Sequence, residues 1–264
     1  MPYSYGEIHH MISQPFRIRV WGPWACFTRP EFHVERVSYP VMTPSSARGV
    51  LEAILMKPVE KPETAQRNRK IGFCWHVLRI GIVKKGVLVP ILRNELGYEK
   101  HTFQGFDILE ERTQRHSLIL RDVEYLIEAV IEVREAVRRI GEPFLIAKYQ
   151  GMFERRAQSG QCYHRPYLGC REFPANFSWA QDAEPGDTQG NRINENFGVI
   201  FRDFHFDPVW EFWPSGKPRP TKWEKDGAKV TPMPKRGFPA LAQDGWIRVA
   251  EVHEQHGRKE VVEL

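Results

Sequence analysis

Cysteine is scarce in this chain, and the little there is does not cluster. Cys26, Cys74, Cys162 and Cys170 are the only four in 264 residues, and no two form a Cys-x-x-Cys pair. The shortest step, from Cys162 to Cys170, encloses one histidine, His164. A zinc site wants closer thiols or histidines at ligand spacing, so the expectation is no metal site and no cofactor. A reducing cytosol also disfavours a disulfide. Cys162 and Cys170 then read as thiols packed like small apolar side chains.

Long apolar runs are missing too: none approaches the roughly 18 to 20 residues that span a bilayer. The opening "MPYSYGEIHHMISQPF" lacks the basic segment and apolar core of a secretion signal, so the expected location is cytoplasmic, with no membrane partner. There is no Gly-rich phosphate loop, no G-x-S-x-G elbow and no H-E-x-x-H, and no repeat at a solenoid period. Charge of one sign is also in short supply. Lys and Arg number 38 against 33 Asp and Glu, a net charge of +5 with a pI near 9.0. That balance permits a polyanionic partner without requiring one.

What is present is clear periodicity. "PFRIRVWG" (15–22) sets Phe16, Ile18 and Val20 against Arg17, Arg19 and Trp21, which predicts a strand with one buried face and one basic or aromatic face. "TPSSARGVLEAILMKP" (43–58) predicts a helix. Thr43 suits the N-cap, Pro44 the first turn, and Ala47, Val50, Leu51 and Ile54 recur at helical spacing before Pro58. Gly49 inside it costs about 1 kcal/mol relative to alanine, which points to close approach by another backbone. Residues 59–72 read as a loop, "FCWHVLRIGIV" (73–83) as a strand and 84–112 as hairpins and loops.

"RDVEYLIEAVIEV" (121–133) alternates most strictly. Val123, Tyr125, Ile127, Ala129, Ile131 and Val133 share one face, and the row Glu124, Glu128 and Glu132 reads as a solvated edge. "PFLIAKYQGMFERRAQSG" (143–160) predicts a second helix from Pro143 to Gly160. A last strand in 162–173 would complete a split βαβ, or ferredoxin-like (RRM-like), unit. Beyond 178 come a polar loop, the aromatic "FGVIFRDFHFDPVWEFW" and a Pro-, Gly- and Lys-rich stretch. The expected fold is α+β: an extension over 1–14, a ferredoxin-like domain over 15–177, and a smaller β-rich portion over 178–264 with an extended tail.

The segment "FERRAQSGQCYHRPYLGCREFPANF" packs four arginines, two cysteines and five aromatic rings into 153–177. On the second helix Lys148, Met152 and Arg155 fall on adjacent turns, beside a stripe of Tyr149, Phe153 and Arg156. Alone, that pattern also describes a half-buried helix with a solvated basic face. Arg165 and Arg171 follow, interleaved with Tyr163, His164 and Tyr167. Guanidinium groups interleaved with rings suit a single-stranded backbone whose bases stack. His9, His10 and His116 read as surface residues.

Three segments carry a resemblance: "RVWGPWACFTRPEFHVERVSYPVMTPSSARGVLEAI", "RDVEYLIEA" and "RRAQSGQCYHRPYLGCREFPANF". In sequence and order they resemble the Cas five family of CRISPR-associated proteins, subtype d (Dvulg) of type I-C. The likeness covers most of 16–177 and weakens beyond 178. It implies a ferredoxin-like domain with a second β-sheet region, cleavage of precursor CRISPR RNA within each repeat, and retention of the 5′ handle in a surveillance complex. It also implies a metal-independent endoribonuclease reaction in which a 2′-hydroxyl attacks the adjacent phosphate. The products are a 2′,3′-cyclic phosphate and a 5′-hydroxyl.

The family's catalytic tyrosine in the first helix, and its Lys-His pair opening the second, fall by position on Leu55, Lys148 and Tyr149. Lys148 matches and can stabilise charge growing on the phosphate. Tyr149 would need a neighbouring cation to ionise and reads equally as a core or stacking ring. His164 and Tyr163 are substitutes if the following loop folds back over the helix. Arg17, Arg19, Arg48, Arg155, Arg156, Arg165 and Arg171 are the set expected to contact RNA. Arg48 stands near a helix start, where amides and a guanidinium can share a phosphate.

Two readings follow from the resemblance. One is the nuclease, catalysed by Lys148, Tyr149 or His164; the other is a non-catalytic subunit that holds the 5′ handle. The implied partners are precursor CRISPR RNA, the other subunits of the complex and target DNA held within it. A binder of duplex DNA is a third, more distant reading of the basic balance.

Overall fold

The computed structural model describes residues 11–32, 34–56, 73–96, 112–133, 145–186, 192–203, 224–225, 228–229, 237–255 and 258–264. The expectations for most of 1–14, for 59–72, for Pro58 and for Pro143 therefore lie outside the described residues. Among those described, no helix is long and apolar enough to cross a membrane.

In chain order the first elements are β1 (Met11–Ile12), β2 (Phe16–Ala25), β3 (Arg36–Val37), α1 (Pro44–Ile54), β4 (Phe73–Lys84) and β5 (Val87–Leu96). Next come β6 (Arg112–Val133), α2 (Leu145–Ser159), β7 (Asn176–Trp179), β8 (Glu195–Ile200), β9 (Glu224–Lys225) and β10 (Ala228–Lys229). The chain ends in β11 (Phe238–Gln243), β12 (Trp246–Arg248), β13 (Ala250–Gln255) and β14 (Arg258–Glu263). The protein is α+β, mostly antiparallel sheet with few helices.

One sheet of 10 strands runs β7-β2-β6-β4-β12-β11-β8, and every neighbouring pair along that path is antiparallel. The strictly alternating segment is its centre. β6 lies between β2, in register Ile18↔Ile127, and β4, in register Ile80↔Ile127. Its N-terminal half continues outward as a hairpin with β5, from Val87↔Arg121 to Leu96↔Arg112. The two described helices cover one face of this centre. Val50, Leu51 and Ile54 of α1, with Tyr149, Phe153 and Ala157 of α2, pack against Phe16, Ile18, Val20, Tyr125, Ile127 and Ala129. The Phe153 ring sits 4.7 Å from Trp75 and 5.5 Å from Phe16. Each such side chain, fully buried, contributes about 1.5–3 kcal/mol.

Four expectations need correction. The acidic row of β6 is not a solvated edge: Glu124 is 6% exposed and Glu128 8%. That face is covered because β12 joins β4 and brings Trp246 over it, where it packs with Leu126 and Val83. Residues 162–173 form no strand. They turn and bend, with one isolated bridge from Tyr167 to Pro174, because Pro166, Gly169 and Pro174 interrupt any ladder. The strand that flanks β2 is β7, four residues long, in register Trp21↔Asn176. The boundary expected between 177 and 178 falls inside it. Third, the end of the expected tail is ordered into β11 to β14, of which β11 and β12 belong to the main sheet.

The fourth concerns Gly49. Thr43 caps α1 as expected, accepting from the Ser46 amide at 3.3 Å, and the helix stops at Ile54, before Pro58. Gly49, however, is exposed, and a Cβ added there would meet nothing within 4 Å. Among the described residues, no close neighbour compensates for its flexibility. Gly49→Ala is therefore expected to raise stability by about 0.4–1 kcal/mol, read as a higher urea midpoint at unchanged slope. A lower midpoint would show that the site holds a constraint other than space.

Candidate nucleic-acid interface

A helix leaves its last four carbonyls without partners inside the helix, and at the end of α1 these carbonyls organise the surface. The Ala53 oxygen accepts from the amides of Tyr163 at 2.9 Å and His164 at 3.3 Å. Ile54 accepts from Arg156 Nη1 at 2.6 Å, and Leu55 from Trp75 Nε1 at 2.9 Å. Gly160, with φ of 69°, ends α2 in the left-handed conformation that glycine adopts without strain. The chain thus leaves α2, doubles back and docks on α1. Tyr163 is left 80% exposed, its ring 5.9 Å from that of His164. Arg165, Arg155 and Arg171 are exposed around this loop.

Lys148 is exposed on the same helix, but two turns before Arg156, about 12 Å along the axis at 1.5 Å per residue. The fold-back of the loop therefore places Tyr163 and His164 at the far end of α2 from Lys148. Tyr149 is buried at 4% exposure, its ring 4.8 Å from Phe73. Leu55 is buried as well. The core ring is the reading of Tyr149 that the packing favours.

The arginines divide into two groups. Arg17 is buried and bound on several sides: Nη2 to Glu128 at 2.7 Å, Nη1 to Glu184 at 2.8 Å and to the Ala183 carbonyl. Its guanidinium also lies 5.1 Å from the Trp246 ring. Arg17 thus holds β2 to β6 and to the 183–184 segment. Arg19 pairs with Glu124. Arg48 makes a two-pronged pair with Asp203 at 2.7 and 3.0 Å and a second pair with Glu52. Arg156 is spent on Ile54. Arg155, Arg165 and Arg171, with Lys148, Tyr163 and His164, form the exposed group.

The positioning role of Arg156 is absent from the sequence-based expectations, although an arginine one turn before a helix-ending glycine is a signal that it can reach a neighbouring helix end. Arg79 is a second such residue. It binds Glu128 at 2.7 and 2.8 Å and lies 4.2 Å over Trp246. Cys162 is exposed rather than packed, whereas Cys170 is buried as expected.

The family model described as CRISPR-associated protein (Cas_Cas5), Cas_Cas5d, matches residues 16–250. The CRISPR pre-crRNA endoribonuclease Cas5d of Thermus thermophilus is 39% identical over 252 residues, covering 92% of this chain and 95% of that one. The protein of the same name from Mannheimia succiniciproducens is 35% identical over 212 residues, 74% of this chain and 87% of that one. A crystal structure of a CRISPR-associated protein shares the fold at a TM-score of 0.55 and 21% identity, covering 97% of this chain and 100% of that one. By family match and by identity over most of its length, the chain belongs to the Cas5d family of CRISPR-associated proteins.

Proposed function

We propose that this chain is an endoribonuclease that cuts precursor CRISPR RNA within its repeat. It then stays on the 5′ handle as a subunit of a type I-C surveillance complex. The observation that carries the reading is 39% identity, over 92% of the chain, to a protein named for that activity. The exposure of Arg155, Tyr163, His164, Arg165 and Arg171 is consistent with it, since rings and guanidinium groups stack bases and pair phosphates. The strand order β7-β2-β6-β4, with α1 between β2 and β4 and α2 between β6 and β7, supports a ferredoxin-like reading of the RNA-binding portion, extended by the C-terminal strands.

In the proposed reaction the 2′-oxygen attacks the adjacent phosphorus, and the bond to the 5′-oxygen breaks. The 2′-proton is lost and one is gained by the leaving 5′-oxygen, without a metal ion. The Lys148 ammonium is the candidate for stabilising charge on the phosphoryl oxygens. His164 and Tyr163 dock at the far end of α2 from Lys148, too far to share one phosphate with it. Their role is therefore in stacking and holding the RNA, and no partner for Lys148 in proton transfer is assigned. A second reading, a subunit that holds the handle without cutting, is favoured by the burial of Leu55 and Tyr149. Two of the three family positions then bring no proton-transfer group to the surface.

The test is incubation with the cognate repeat RNA in EDTA, beside the same RNA with one 2′-deoxy sugar 5′ of the cut. A single cut ending in a cyclic phosphate, absent with the deoxy substrate, is expected. Tight binding of the all-ribose RNA without a cut leaves the handle-binding subunit as the function.

A further inference from the structure

Beside Arg171, one small cluster brings two sulfurs, a hydroxyl and a guanidinium together. Cys26 follows the end of β2, and the segment after α2 returns across it, the Cys26 amide donating to the Leu168 carbonyl at 3.0 Å. Gly169, with φ of 86°, permits the approach: a Cβ there would lie 2.0 Å from the Cys26 oxygen. Cys170 is thereby set against Cys26. Its Sγ is 3.5 Å from the Cys26 carbonyl oxygen, and the two sulfurs reach the same Thr28 hydroxyl at 3.5 and 3.6 Å. Both are free thiols and share an apolar cluster with Ile119 and Phe173.

The two thiols are not equivalent. Arg36 Nη1 points at Cys170 Sγ from 3.1 Å. A hydrogen bond from the Cys26 thiol, with help from Thr28 and Arg36, outweighs burial and brings Cys170 down to about 6. Cys26 moves the other way, pushed up by its bond to Cys170 and by burial. The surrounding charge agrees. Arg36, Arg93 and Arg115 converge on the carboxylates of Glu95 and Glu172, so a Cys170 thiolate supplies the third negative charge for three guanidinium groups. A thiolate beside a cation, with a second thiol in contact, is the arrangement of an oxidisable pair.

We propose that Cys170 and Cys26 form an oxidation site, at which a hydroperoxide oxidises Cys170 and Cys26 then closes a disulfide. The Cys170 sulfur attacks one peroxide oxygen; a sulfur–oxygen bond forms and the oxygen–oxygen bond breaks, releasing water once the departing oxygen takes up a proton. The Cys26 sulfur attacks the resulting sulfenic acid; the disulfide forms, and the displaced oxygen leaves as water with the Cys26 proton. The thiols lose two electrons and hydrogen peroxide gains them. Cys26 is fully buried and Cys170 7% exposed, so the oxidant must be small, entering beside the Arg36 side chain, which is 38% exposed. The product removes the thiolate from beside Arg36. It also fastens the turn after the Tyr163–Arg165 loop to the end of β2.

The experiment exposes the dilute, reduced, full-length protein to rising equivalents of hydrogen peroxide, quenches with iodoacetamide and maps the peptides by mass. The expected result is one cross-link joining the Cys26 and Cys170 peptides, two hydrogens lighter than their sum. It should form about tenfold or more ahead of oxidation at Cys74, given the thiolate's advantage near neutral pH. In Cys26→Ser the same dose should leave a sulfenic acid on Cys170 that dimedone traps. A Cys170 still fully alkylated when Cys74 or Cys162 is oxidised overturns the proposal. So does a cross-link from Cys170 to any cysteine but Cys26. Both of these results are read on the wild-type protein, so a folding defect in the variant cannot obscure them.

Discussion

Lys148→Ala is expected to slow single-turnover cleavage of the cognate repeat RNA about a hundredfold or more, the usual cost of removing one group that stabilises transition-state charge. Affinity should change little. Binding rests on several arginines and rings, and one phosphate contact among them contributes a small share of a salt-dependent sum. The cost to stability should be small, because Lys148 is exposed on α2 and an exposed side chain's interactions contribute about 1 kcal/mol or less. Lys148→Arg keeps the charge and should recover part of the rate. Rates at saturating protein, with Kd from filter binding, separate the possibilities. Equal losses in rate and affinity would make Lys148 a binding residue only, and an unchanged rate would place the phosphate elsewhere on the surface.

The parts of this molecule that could be read in advance are those where local signals agree. Thr43, Pro44 and the Ala47–Ile54 spacing mark α1 by capping and periodicity together, and the helix forms there. Phe16, Ile18 and Val20 alternate because one face of β2 meets the helices. The unread parts depend on what arrives from far along the chain. Glu124 and Glu128 look like any solvated row until β12 packs beside β4 and closes that face. Arg17 and Arg155 are both arginines at polar positions of amphipathic elements. Only the return of the 183–184 segment decides that the first is internal, while nothing comparable among the described residues covers the second. The hairpin arm of β6, Arg112–Leu120, carries no local mark because its polar residues follow no period of two, and pairing with β5 alone defines it. For the candidate interface, composition drew attention to the 153–177 stretch but not to which of its side chains are exposed and which are held inside. That division depends on which side chains the carbonyls at the end of α1 recruit.

Glu128 is where the largest loss of stability is expected. Its carboxylate accepts from Arg79 at 2.7 and 2.8 Å and from Arg17 at 2.7 and 3.1 Å, joining β2, β4 and β6 beneath the Trp246 ring. Removing one partner of a buried pair strands the others, at about 3–5 kcal/mol. Glu128→Ala should lose about 3 kcal/mol, the lower end of that range, because Glu184 still serves Arg17. The pH dependence carries the same signature. Burial pushes this carboxyl up, but the hydrogen bonds from Arg79 and Arg17 and their charge outweigh it, leaving it below its ordinary value of 4.5. A depressed folded value means the carboxylate's contribution is present in full above that ordinary value. It is lost as pH falls through the folded one. Urea titrations at neutral pH and at steps below it should therefore show the wild type losing stability in acid more steeply than Glu128→Gln, which has no proton to gain. Parallel pH profiles, or a loss under about 1 kcal/mol at neutral pH, the range of an exposed pair, would mean that Trp246 and Glu184 suffice to hold both guanidinium groups. The joint between the N-terminal strands and the C-terminal ones would then rest on the ring rather than on the charge.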